Sequence, residues 1–132
     1  MRIINENRKV IELLKNPEIN LIPVCPEQMG GLPTPRVPSE VQQDGRVMTK
    51  DGRDVSSEYN RGAEQVLKLA GLYDCTMAIL KERSPACGHG RIYDGSFTGT
   101  LACGNGIAAD LLIRNGIKVL GESELEQLGE HS

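Results

Sequence analysis

Tryptophan is absent from this chain, phenylalanine occurs once and tyrosine three times. Proteins that hold nucleic acid polymers use aromatic platforms for bases and a basic surface for phosphates. Here 15 Lys and Arg stand against 18 Asp and Glu, a net charge of -3, so the chain is poor in both. A nucleic acid polymer is not the expected partner, whereas free bases and nucleotides remain suitable in size. No apolar stretch reaches the ~20 residues that a membrane-crossing helix needs. The opening "MRIINENRKV" has no apolar core after its charges, as a secretory leader would. These absences predict a cytoplasmic protein with no membrane partner. Histidine is confined to His89 and His131, and the four cysteines contain no C-x-x-C pair. That disfavours imidazole-rich metal sites, zinc ribbons and thioredoxin-type centres.

What is present fits one domain spanning residues 1–132, long enough to bury roughly two-thirds of its unfolded surface. In a cytosolic setting Cys25, Cys75, Cys87 and Cys103 point to metal or catalytic use before disulfides. "ENRKVIELLK" puts Val10, Ile11, Leu13 and Leu14 on one helical face, and Asn16-Pro17 ends it. "LIPVC" reads as a short buried strand stopped by Pro26, Gly30 and Gly31. Cys25 then lies at the carboxyl end of a strand, where open α/β sheets bind ligands.

"RVMTKDGRDV" predicts a hairpin around Asp51-Gly52, read as a protruding flap. "SSEYNRGAEQVLKLAGL" repeats Tyr59, Ala63, Val66, Leu67 and Ala70 at helical spacing, with Gly71 as its C-terminal cap. "TMAILK" is a second strand, and "ERSPACGHGRIYDGSFTGT" after it reads as a second long cysteine loop. "GNGIAADLLIRNG" is a helix opened by glycines, "IKVL" a third strand, and Ser123 with Glu126 a capping box for a last helix. The alternation predicts an α/β fold: a mainly parallel sheet covered by helices, with a small hairpin flap.

Cys25 and Cys87 each follow a strand and precede glycines, so parallel strands would bring both thiols to one sheet edge as co-ligands. Packing is the competing use, since free cysteine is among the most buried residue types. Glu27 lies two residues beyond Cys25 and can act as a general acid or base, and Ser84 precedes Cys87 by three. Taken singly, a loop glutamate is usually solvated and Ser-Pro usually starts a turn. Arg36 in "PTPRVP" can bind an anion or bond loop carbonyls. Gly104 and Gly106 open a helix whose N–H groups suit a phosphate or carboxylate, although "CGNG" is a weak signal. His89 reads as a turn residue.

Together and in order, "VCPEQMGGLPTPRVPSE", "DGRDVSSEYNRGAE", "AILKERSPACGHGRIYDGSFTG" and "GNGIAADLL" resemble the thiouracil desulfidase-like family, long catalogued as a conserved domain of unknown function. The resemblance runs from about Leu21 to Glu122. It implies removal of sulfur from thiolated pyrimidines, thiouracil or its nucleotides, by a 4Fe-4S cluster on three cysteines, with one iron left open for the substrate's sulfur. It also implies Cys25 and Cys87 as two ligands and Glu27 and Ser84 as catalytic groups that handle protons. The chemistry is coherent, because thiolates suit iron–sulfur clusters and a carboxylate can activate the replacing water.

Family members begin with a strand ending in a "CLLG"-like segment followed by "RYDG", which supplies a third cysteine, and nothing like it precedes Asn5. The expectation is a chain that starts one strand late, binds its cluster weakly and turns over little. Cys103 is the nearest replacement ligand, ahead of Cys75 at the far end of its strand, while a small buried thiol is the ordinary account of Cys103. An uncovered sheet edge would recruit a second copy, giving a homodimer. Two other readings stand beside this one: a cluster-free module holding a small anion or nucleotide with Arg36 and the glycine-opened helix, and a non-catalytic remnant that pairs with another chain.

Overall fold

The structure is a computed structural model and describes residues 22–121. The expected first and last helices, around Val10–Leu14 and Ser123–Glu126, lie outside the described residues. Nine elements follow in chain order: α1 (Pro26–Met29), β1 (Ser39–Val41), β2 (Val47–Thr49), α2 (Ser56–Leu72), β3 (Met77–Leu80), β4 (Arg91–Tyr93), β5 (Leu101–Cys103), α3 (Ile107–Arg114) and β6 (Lys118–Gly121). The class is α/β, with helices packed on a small parallel sheet. No helix among the described residues is long and apolar enough to cross a membrane.

The parallel sheet pairs β3 with β6, from Met77 opposite Lys118 to Leu80 opposite Gly121. Parallel neighbours need a long crossover, and α3 lies within it. Ala109 and Leu112 of α3 meet Tyr59 and Val66 of α2, Leu80 of β3 and Val119 of β6 in one core cluster. Helix α2 forms over the stretch its periodicity predicts, with Tyr59, Ala63 and Val66 buried on one stripe. It runs past Gly71, and the chain reverses through Asp74, whose left-handed φ of 53° serves where a glycine was expected.

Three expectations are revised. Ile22–Cys25 pair with no strand among the described residues, although Cys25 is extended (φ -127°, ψ 101°). Pro23 removes a ladder donor and Pro26, at the first helical position, turns the chain into α1. The hairpin forms between β1 and β2, closed at Gln42–Arg46, while Asp51-Gly52 makes a second turn that returns Asp54 to Met48. It is no flap, because Val47 and Thr49 are 1% and 4% exposed. The long second loop contains the antiparallel pair β4–β5, whose three-residue strands are too short to show alternation.

Candidate active site

Cys25 and Glu27 owe their place to a close helix contact. Helix α1 is four residues long, with Cys25 as its N-cap and Glu27 in its first turn. So short a helix has little stability of its own, and it is seated on α2 by two buried glycines. A Cβ on Gly62 would lie 1.9 Å from the Pro26 carbonyl oxygen, and one on Gly30 would lie 1.8 Å from that of Glu58. Only backbone against backbone fits there. Beyond α1 the chain returns with Arg36, whose Nη2 donates to Glu27 Oε2 at 2.7 Å in a half-buried ion pair. Burial works against the Arg36 cation, but the Glu27 carboxylate outweighs it, through charge and the direct bond, and raises the arginine pKa.

Cys87 is held by a different device. Ser84 Oγ accepts the backbone N–H of Ala86 at 3.0 Å and of Cys87 at 2.9 Å, curling the loop after β3 into a tight turn. That turn covers the start of α3. The N–H groups of Gly106 and Ile107 donate to the carbonyls of Gly88 and Pro85, and those of Ala108 and Ala109 to that of Ala86. The orphan donors of a helix N-terminus are thereby satisfied within the chain. Gly106 is required by this contact, since a Cβ there would come within 2.4 Å of the Ala86 carbonyl carbon.

The two devices bring their residues together. Burial pushes the Cys87 thiol up to about 12, and the nearby charges of Glu27 and Cys25 push the same way, against hydrogen bonds from the Ser84 hydroxyl and the Lys81 backbone. The Glu27 and Cys25 charges thus reach Cys87, and Ser84 lies on the same turn as that thiol. Tyr59 of α2, 3% exposed, belongs to the same group. Its pKa is raised by burial first and by the Glu27 charge, while hydrogen bonds with Ser39 and Arg36 lower it. The group pairs two soft sulfur donors with a carboxylate, a hydroxyl and a guanidinium.

The model of the 2-thiouracil desulfurase family matches residues 3–124. The chain belongs to the 2-thiouracil desulfurase family. The solved structure of a 4Fe-4S-dependent thiouracil desulfidase, TudS, is similar to it at 46% identity and a TM-score of 0.78, over 83% of this chain and 72% of that one. An uncharacterised protein of Bacillus subtilis strain 168, YbbK, is 37% identical over 84% of this chain and 80% of its own length. Family and structural neighbour together point to a thiouracil desulfidase-like function.

Of the other residues weighed in the sequence, Cys103 closes β5 opposite Arg91 and is exposed, not a small buried thiol. Cys75 follows α2, in a cleft of about 480 Å³ with Leu67, Ala70 and Ile117. His89 lies in the loop between Cys87 and β4. Among the described residues no three His, Cys, Asp or Glu side chains gather as a metal-holding group. The glycine-opened helix has committed its first N–H groups to the Cys87 loop, and Arg36 has committed to Glu27, so an anion module built on them loses its donors. Sequence reasoning took Tyr59 for a core residue and passed over Gly62. The one available signal was a tyrosine on an apolar helix face, whose buried hydroxyl needs a partner.

Proposed function

We propose that this chain desulfurises a thiolated pyrimidine, exchanging C=S for C=O with water and releasing hydrogen sulfide. The reading is carried by one observation: the family match over residues 3–124, to which the likeness to a 4Fe-4S-dependent thiouracil desulfidase adds support. Cys25 and Cys87 are the residues that would hold a 4Fe-4S cluster, and their sulfur donors suit it as two of the three that the resemblance implies. Both are soft, and a thiol kept protonated by burial exchanges its proton for iron on ligation. When bound, the cluster supplies a soft Lewis-acid iron for the thiocarbonyl sulfur.

The chain's own residues supply the rest. Glu27 has Oε2 tied to Arg36, which leaves Oε1 to take a proton from the water that replaces sulfur. Ser84 Oγ accepts two backbone N–H groups, which leaves its own proton to be passed toward the leaving sulfur. The substrate class is a free base or nucleotide, consistent with a surface poor in aromatics and without excess positive charge.

Anaerobic reconstitution with iron and sulfide tests this, read by visible absorption and by sulfide release from 2-thiouracil. Cys25→Ser and Cys87→Ser should lose iron uptake. Glu27→Gln and Ser84→Ala should keep it and lose turnover, and Cys103→Ser should match the parent. Full iron and sulfide uptake in both Cys25→Ser and Cys87→Ser would overturn the ligand assignment. Loss of both uptake and turnover in Cys103→Ser would make Cys103 a ligand.

A further inference from the structure

We infer that Arg36, braced by the Pro33–Thr34 loop, is the positioning residue for the Glu27 carboxylate, fixing one of its oxygens and leaving the other for the proton. The inference rests on the proposed role of Glu27. A glutamate on the first turn of a four-residue helix has three rotatable side-chain bonds and nothing on its own element to hold it. Here its side chain is only 14% exposed, because Arg36 covers it and binds Oε2 at 2.7 Å.

The guanidinium is itself fixed. Its other nitrogen, Nη1, donates to the Pro33 carbonyl at 3.2 Å and to Thr34 Oγ1 at 3.1 Å. Gln28 Nε2 donates to that same Thr34 hydroxyl at 2.8 Å. Neighbouring residues of α1, Glu27 and Gln28, are therefore tied to one loop through Arg36 and Thr34, closing a ring of side chains. From the other side the buried Tyr59 of α2 lies within the influence of both the Arg36 and the Glu27 charges.

The planar guanidinium presents its donors in a rigid fork, and this is why arginine suits the place. It bonds the carboxylate with one arm and the loop with the other. A lysine would keep the charge and lose the second arm; a glutamine would lose the charge. A misplacement of about 1 Å in a reacting group costs on the order of 100-fold in rate. Losses of that size, falling on kcat alone, mark an interaction made in the transition state.

The test uses Arg36→Gln, Arg36→Lys and Glu27→Gln beside the parent chain. First, the arginine side-chain N–H signals are followed by NMR in the metal-free proteins. The Arg36 signals should exchange slowly with water in the parent and lose that protection in Glu27→Gln; equal protection in both would overturn the inference whatever the activity. Second, turnover of 2-thiouracil is measured after anaerobic reconstitution, with iron content recorded. Arg36→Gln should bind iron as the parent does and lose roughly 100-fold in kcat with KM within about twofold. Arg36→Lys should recover part of the loss. If Glu27→Gln abolishes turnover while Arg36→Gln keeps the parent's kcat, the positioning role is wrong. If Glu27→Gln turns over normally, or the parent does not turn over at all, the reading of Glu27 fails instead, and the NMR result stands on its own.

Discussion

Two cysteine segments that look alike in sequence are built by opposite means. Around Cys25 the chain is short helix on long helix, and the contact is made by what is absent: side chains at Gly30 and Gly62. Around Cys87 the contact is made by what is added, a serine hydroxyl and three loop carbonyls that take up the free donors of α3. The first segment leaves its thiol half-buried. The second encloses its thiol, at 7% exposure, and keeps it protonated. The first sulfur is thus the accessible one and the second the sealed one.

That contrast is broken most strongly by pH. A thiol whose folded pKa is raised contributes stability that is fully present below its ordinary value near 9 and is lost as pH rises toward 12. The unfolded chain ionises first, which draws the protein toward it. Three pH units correspond to about 4 kcal/mol. Urea unfolding of the metal-free protein across this range should show a steeper loss in the parent than in Cys87→Ala. Equal slopes would mean that Cys87 is not sealed.

The glycine contacts come next. Gly62→Ala and Gly106→Ala each push a methyl group into backbone, a cost of about 1–3 kcal/mol for overpacking in a packed interior. The comparison sharpens if the two act locally. Amide exchange should quicken at Met29 and Gly30 in Gly62→Ala, and at Cys87 and Ile107 in Gly106→Ala. Exchange quickened at both places in either variant would show one cooperative unit instead of two devices. Smaller again, Ser84→Ala leaves two backbone N–H groups without their acceptor and should cost about 1–2 kcal/mol in thermal or urea unfolding. Gln28→Ala, on the exposed side of α1, should stay within about 0.5 kcal/mol.

Helix α2 was legible over its length because periodicity is a local property: Tyr59, Ala63 and Val66 fall on one stripe whatever surrounds them. The strands β3 and β6 were legible for a similar reason, as short apolar runs between turn signals. The β4–β5 pair was not. Its strands are three residues long, and their pairing of Arg91 with Cys103 is set by contacts twelve positions apart in sequence. "LIPVC" reads as a strand because its residues suit one, but a strand also needs a partner, and Pro23 and Pro26 send the segment elsewhere.

Sequence alone determined the α/β class, the long helix, and the motifs around Cys25, Glu27, Ser84 and Cys87 that carry the family resemblance, because side-chain type and local spacing are written in order along the chain. Tertiary structure alone decided that Arg36 spends its charge on Glu27, that the Pro33–Thr34 loop braces it, and that the glycine-opened helix gives its donors to the Cys87 loop. Each of these is a choice among partners, and a charged or polar group satisfies whichever partner folding brings within about 3 Å.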